Sequence, residues 1–204
     1  MVAGGLLWIV HGYFRFVMPY GPDAVWREDL NYSPIISTEL FLLYNAPGVL
    51  ALLLSAWTAL SYLRGLPRTR PGFQRAAQIL ATLAILFGLV AAIGVAVLFV
   101  PPTTGSISFG VPSLGLALAM AGLAVGSDGN RKGQSRLLVF TGLLGMFTLP
   151  VQPLMYALAL LPMAVGTAVF AVFGAGWVAL AFILSSEPRG RGREANVPAP
   201  EGAP

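Results

Sequence analysis

The sequence predicts an all-α fold, a polytopic transmembrane helical bundle of about six spans with the N-terminus and C-terminus both cytoplasmic. Three observations predict it. Only 10% of the 204 residues are charged and 56% are hydrophobic, whereas a soluble domain carries about 25% charged residues. The apolar residues come in charge-poor runs too long for soluble helices, which seldom exceed about 20 residues. Finally, ten of the twelve Lys and Arg residues fall in three short polar stretches, Arg64 to Arg75, Arg131 to Arg136 and Arg189 to Arg193. Those stretches lie between or after apolar runs, as the positive-inside rule expects of cytoplasmic loops.

Each element follows in order. The first span, residues 2–20, carries His11 and Arg15. It lacks a basic leading region and a small-residue cleavage site, so it reads as a membrane span and not as a signal peptide. Gly21 to Ser33 is net acidic, with Asp23, Arg27, Glu28 and Asp29, and is placed outside. Pro22 can open a short helix there, with Trp26 and Leu30 on one side and Tyr20 and Tyr32 flanking it like an aromatic belt. The second span, 34–63, is longer than a bilayer requires, which predicts tilt or a kink at Pro47.

A basic inner loop leads to the third span, 76–100. Pro101 and Pro102 are expected to stop it, leaving an uncharged outer loop to Gly110. The fourth span, 111–126, is short and rich in alanine and glycine, and the basic stretch Ser127 to Arg136 lies inside. Leu137 to Leu184 holds no charge, room for two spans and a turn. The turn is placed at Pro150 to Pro153, giving spans 136–149 and 154–184. A turn near Leu160 to Pro162, with a proline-kinked fifth helix, would leave the topology unchanged. Residues 1–186 thus form a single transmembrane domain. The tail, 187–204, is Pro, Gly, Ala and charge and is expected to be disordered, its arginines drawn to anionic lipid.

The composition excludes several chemistries. With no cysteine there is no disulfide, thiol relay or iron–sulfur ligation. One histidine cannot ligate haem from two sides, and the single lysine, Lys132, lies in a polar loop, where it cannot serve as a buried Schiff base. No catalytic, cofactor or metal signature is present, so no cofactor is expected. The net charge of +4 and pI near 9.9 reflect topology, because the basic residues sit in inner loops, and no nucleic-acid partner is implied.

Helices in lipid associate through small residues. Such residues recur at every fourth position in the third span (Ala84, Gly88, Ala92, Ala96), the fourth (Ser113, Ala117, Ala121) and the sixth (Thr167, Ala171, Ala175, Ala179). These stripes suit docking of a membrane protein partner or a second copy. Packing within one bundle is the simpler reading.

Ionisable residues inside a membrane need a partner or a purpose. His11, Arg15 and Glu39 are the three candidates. Counted along the spans, Arg15 and Glu39 both lie roughly 7 to 8 Å below the outer interface, so depth permits an ion pair. His11 is one turn beneath Arg15 on the same face. Thr38 and Asn45 share a face of the second span, rotated from that of Glu39. The cluster can be a structural ion pair with a hydrogen-bonded histidine nearby. It can instead line an outward-facing cavity that binds a small polar solute or relays protons. Or it can supply His11 or Glu39 as acid or base toward a lipid substrate, although no nucleophile accompanies them. Gln152, between two prolines, is a weaker candidate: a turn residue at the outer surface, or part of a broken helix lining a site.

Two functions of different class follow. One is a non-enzymatic membrane component or accessory subunit of the inner (cytoplasmic) membrane, acting through helix contacts in the bilayer. The other is a solute-binding or transport protein with its site between spans one and two. The six-span architecture is loosely similar to the substrate-binding membrane subunits of energy-coupling-factor vitamin transporters. This is a likeness of fold, which implies a small-molecule ligand only by analogy.

Overall fold

A computed structural model of the chain describes residues 1–17, 25–26, 34–35, 38–66, 70–126, 131–156, 160 and 162–185. It is all-helical in architecture: α1 (Val2–Phe16), α2 (Thr38–Gly65), α3 (Pro71–Ala96), α4 (Val100–Val125), α5 (Lys132–Tyr156) and α6 (Met163–Ser185). Five of them, α2 to α6, are long and apolar enough to cross a membrane. With 15 residues, α1 reaches about 22 Å. Between α1 and α2, Val25–Trp26 (β1) pairs antiparallel with Pro34–Ile35 (β2). Trp26 is therefore extended, not on the short helix expected from Pro22, and α2 begins at Thr38 and not at Pro34. The tail, 187–204, lies outside the described residues.

Each helix packs against the next, and α6 closes back on α1, so the six form a ring. A diagonal contact between α2 and α4 fills its middle. Burial follows: half of the membrane-spanning window of α2 and 56% of that of α4 are buried, against 28% for α3. The core gathers Leu52, Leu114, Phe173, Trp177 and Leu180, all fully buried, and the outer faces keep large apolar side chains for lipid.

The joint between α3 and α4 differs from the predicted ten-residue loop. After Ala96 the chain turns at Leu98, whose φ is 55°. The Phe99 amide donates to the Gly94 carbonyl at 2.7 Å, and the Leu98 amide to that of Val95 at 3.2 Å. This is the Schellman arrangement with leucine where glycine is usual. Pro101 and Pro102 do not end α3. They stand in the first turn of α4, where a missing N–H costs nothing because that donor has no helical acceptor. Residues 101–110 are helix, so the fourth span is full length.

The turn between α5 and α6 also moves. The fifth helix continues through Pro150 and Pro153 to Tyr156, and the turn lies between Tyr156 and Met163, at the alternative position. A helix from Lys132 to Leu149 would be only about 27 Å long, charged first turn included, short of a hydrocarbon core of about 30 Å. Forgoing two amide donors near its end is less costly than opening the backbone inside the membrane.

The small residues pack as seams inside the ring, but not as straight stripes. Four residues turn an α-helix by about 400°, so a strict four-residue stripe drifts by about 40° at each step. Hence Ala84 and Gly88 are buried, Ala92 is half-buried and Ala96 is exposed. The buried face of α3 mixes steps of three and four through Ala77, Ala81, Ala84, Gly88, Ala91 and Gly94. In α4, Ala117 and Ala121 are buried, whereas in α6 Ala175 is exposed.

Side chains tie the end of the ring where α2 meets α3 and α4 meets α5. Gln74 Nε2 donates to the carbonyls of Leu63 at 2.8 Å and Leu66 at 3.2 Å, meeting carbonyl groups that the C-terminus of α2 leaves over. Gln134 Nε2 donates to the Tyr62 hydroxyl at 2.9 Å, and Arg70 to the Leu123 carbonyl at 3.2 Å. The end of α2, the start of α3, the end of α4 and the start of α5 are thereby held together at one end of the bundle. Arg64, Arg70, Arg75, Arg131, Lys132 and Arg136 all belong to this end, and Arg15 and Glu39 to the other.

Candidate functional site

The polar residues of the first two helices separate into a surface group and a buried group. Arg15 is in the last turn of α1, and Glu39 is in the first turn of α2. Both stand at helix ends and not a turn and a half inside, because α1 stops at Phe16 and α2 starts at Thr38. Each charge sits where its helix dipole favours it: a cation at a C-terminus, an anion at an N-terminus. Thr38 and Glu39 are exposed, and Arg15 is half-buried. Asn45 lies about 10 Å further along α2 from Thr38 and is 3% exposed. Its Nδ2 donates to the Phe41 carbonyl, 2.8 Å away on the same helix. The five candidates do not converge on one pocket: Thr38 and Glu39 mark the surface, while His11 and Asn45 belong to the interior.

His11 is the residue around which the interior is built. It is 4% exposed and points from α1 between α2 and α6. Its ring meets Phe170 edge-on, with centroids 5.3 Å apart at 89°, and lies 6.0 Å from the Trp8 ring. Trp8 stacks on Phe170 at 5.6 Å, and Phe16 stacks on the same ring at 5.7 Å. On the α2 side His11 is hydrogen-bonded to the backbone of Tyr44, and Arg15 is near enough to act on it electrostatically. Gly48 makes room for the imidazole: a Cβ there would come within 2.7 Å of Nδ1 and Cε1. Nδ1 itself is buried without a hydrogen-bond partner.

Sequence reasoning found His11 but not its surroundings. Pro47 read as a possible kink, with nothing to show that the next residue, Gly48, clears space for a ring on another helix. Trp8 Nε1 donates to Ser55 Oγ at 3.1 Å in the same α1–α2 seam, a pair no spacing rule links. Thr141 Oγ1 and Trp177 Nε1, on α5 and α6, are likewise buried without partners. Gln152 lies within continuous α5 helix, so the chain is not broken there, and its side chain lies outside what the structure describes. Among the described residues no three His, Asp or Glu gather as metal ligands.

Chemically, the arrangement supplies one sequestered imidazole with a nitrogen left over, ringed by aromatic side chains, and a separate pair of opposite charges at the helix ends. Comparison with protein-family models, curated proteins and solved structures gives no match for this chain.

Proposed function

We propose that the protein is a non-enzymatic membrane component, an accessory subunit that acts through helix–helix contacts in the bilayer and presents the outer face of α6 to a partner helix. One observation carries this reading. The outer face of α3 is bulky, with Ile79, Leu83, Leu86, Leu89, Val90 and Ile93 exposed, as suits fluid lipid. The outer face of α6 instead exposes Ala164, Ala168 and Ala175, with Ala171 and Ala179 half-exposed beside them. Val172 and, toward the end of the helix, Phe182 and Ile183 are also exposed. Between Ala164 and Ala175, however, the face is mostly methyl-sized, so a second helix can approach there, which is how helices associate in a bilayer. The basic end of the ring is assigned to the cytoplasm of an inner membrane, by the positive-inside rule, which places both termini inside.

The test uses a photo-crosslinking side chain at Ala168 or Leu86, with the protein in its own membrane. A discrete protein adduct is expected from Ala168 and lipid adducts alone from Leu86. Ala175→Leu should abolish the former. Lipid adducts alone from both positions would refute the reading.

A second reading, solute binding near the end of α1 and α2 that carries Arg15 and Glu39, has one observation in its favour: the unpartnered Nδ1 of buried His11. It requires that His11→Gln abolish binding of a small polar solute while the protein stays folded. A folded variant with unchanged binding would exclude it.

A further inference from the structure

We infer that the groove between α2 and α3 at the basic end binds one anionic phospholipid. The groove has a volume of about 430 Å³. Its rim carries Arg64 from the last turn of α2 and Arg75 from the second turn of α3. Its floor is apolar: Leu60, one turn below Arg64, and Ile79 and Leu83, one and two turns below Arg75. Gln78 and Thr82 lie between these levels.

This order of chemistry, read from the end of the bundle inward, is that of a phospholipid. Arg64 and Arg75 are both exposed and can donate charge-assisted hydrogen bonds to one phosphate. Glu39, at the opposite end, is the one acidic side chain among the described residues, so no described carboxylate competes for the two guanidinium groups. Gln78 spends one amide hydrogen on the Leu63 carbonyl at 3.4 Å. Its second hydrogen stands at ester depth, about 5 Å below Arg75. Ile79 is 62% exposed and Leu83 40%, continuous with the lipid-facing side of α3, where an acyl chain can lie.

The apolar floor separates a lipid from a free phosphate ion. An inorganic anion would be held by the arginines alone and would gain nothing from Leu60, Ile79 and Leu83. The charge of the rim separates an anionic lipid from a zwitterionic one, whose ammonium group would face two cations. Basic pockets between membrane helices are sites of this kind.

The experiment is native mass spectrometry of the full chain released from nanodiscs made of equal parts phosphatidylglycerol and phosphatidylcholine. One phosphatidylglycerol should be retained in preference to phosphatidylcholine. Arg64→Gln with Arg75→Gln should lower that retention about tenfold or more. Arg131→Gln with Arg136→Gln, an equal loss of charge at the same end, should leave it unchanged. Ile79→Trp, which fills the groove and keeps both arginines, should lower it as well. Equal losses in the two double variants would mean diffuse surface attraction and overturn the site. Full retention in Ile79→Trp, or equal retention of the two lipids by the unaltered chain, would overturn it too. Arg64, Arg75, Ile79 and Arg136 are exposed and Arg131 is half-buried, and the thermal unfolding of each variant in detergent separates lipid loss from misfolding.

Discussion

The seam between α4 and α5 and the seam between α1 and α6 are both founded on glycine, yet they close differently. In the first, backbone faces backbone. A Cβ on Gly115 would lie 2.5 Å from the Gly142 carbonyl oxygen, and one on Gly142 would lie 2.5 Å from that of Gly115. Gly145 lies against the Gly115 Cα, and Gly122 continues the contact toward Ser135 and Val139. In the second seam, Gly5 and Gly174 meet in the same way at one level only. Beyond it rings fill the seam, with Trp8 stacked on Phe170 and Phe173 5.5 Å from Trp8. The helices approach again at Gly12, where a Cβ would lie 2.8 Å from that of Phe170. Polar groups enter both seams: Ser135 donates to the Gly122 carbonyl at 2.8 Å in the first, and Thr167 donates to the Gly12 carbonyl at 3.2 Å in the second. Only the second encloses an ionisable group, His11. A seam closed by backbone and by side chains as small as Ser135 and Ala119 leaves no space for a ring. An aromatic seam does, and it is where the buried histidine sits.

The sharpest way to break this contrast is Gly142→Val. Its new methyl groups would meet backbone on α4, which cannot rotate aside, so a loss of at least about 3 kcal/mol is expected, seen as a collapse of thermal stability in detergent. A mild effect would mean that the two helices are not in backbone contact.

Gly48→Ala should cost less, about 1 to 2 kcal/mol, because the group in its way is a side chain. In a His11→Ala background that cost should vanish, leaving a coupling energy of similar size in the double-mutant cycle. If the cost persists without the imidazole, the ring is not what Gly48 accommodates.

Thr141→Val is expected to have the smallest effect. Thr141 Oγ1 is buried without a partner beside Gly176 of α6. Replacing an unsatisfied hydroxyl with a methyl of the same shape should leave stability unchanged or raise it by up to about 1 kcal/mol. A clear loss would reveal a hydrogen bond to an ordered water at the α5–α6 seam.

Much of the fold was legible because lipid imposes simple rules. Long apolar runs between basic stretches had to be helices crossing a membrane, and Arg64 to Arg75 and Arg131 to Arg136 had to mark their ends. Proline was less legible, since its effect depends on where the helix begins. Pro101 and Pro102 stand in a first turn, and Pro150 and Pro153 near a last one, and neither pair breaks the chain where composition suggested. For the site, His11 was visible as the lone histidine of an apolar span. That Glu39 and Thr38 would be exposed while Asn45 turned to its own backbone was not visible, because one residue's shift in helix start rotates every side chain by about 100°.

The sequence by itself determined that the chain is helical and apolar enough for a membrane, and how its charges divide between two ends. Those properties depend on composition and on order along the chain, which the hydrocarbon core reads one segment at a time. Only the tertiary structure decided that the helices close into a ring, that Gly48 stands opposite His11, that α6 turns alanines outward, and that Arg64 and Arg75 share a groove. These are meetings of residues distant in sequence, fixed by which side chains are small enough to let two backbones approach, and no periodicity within one helix can specify the face of another.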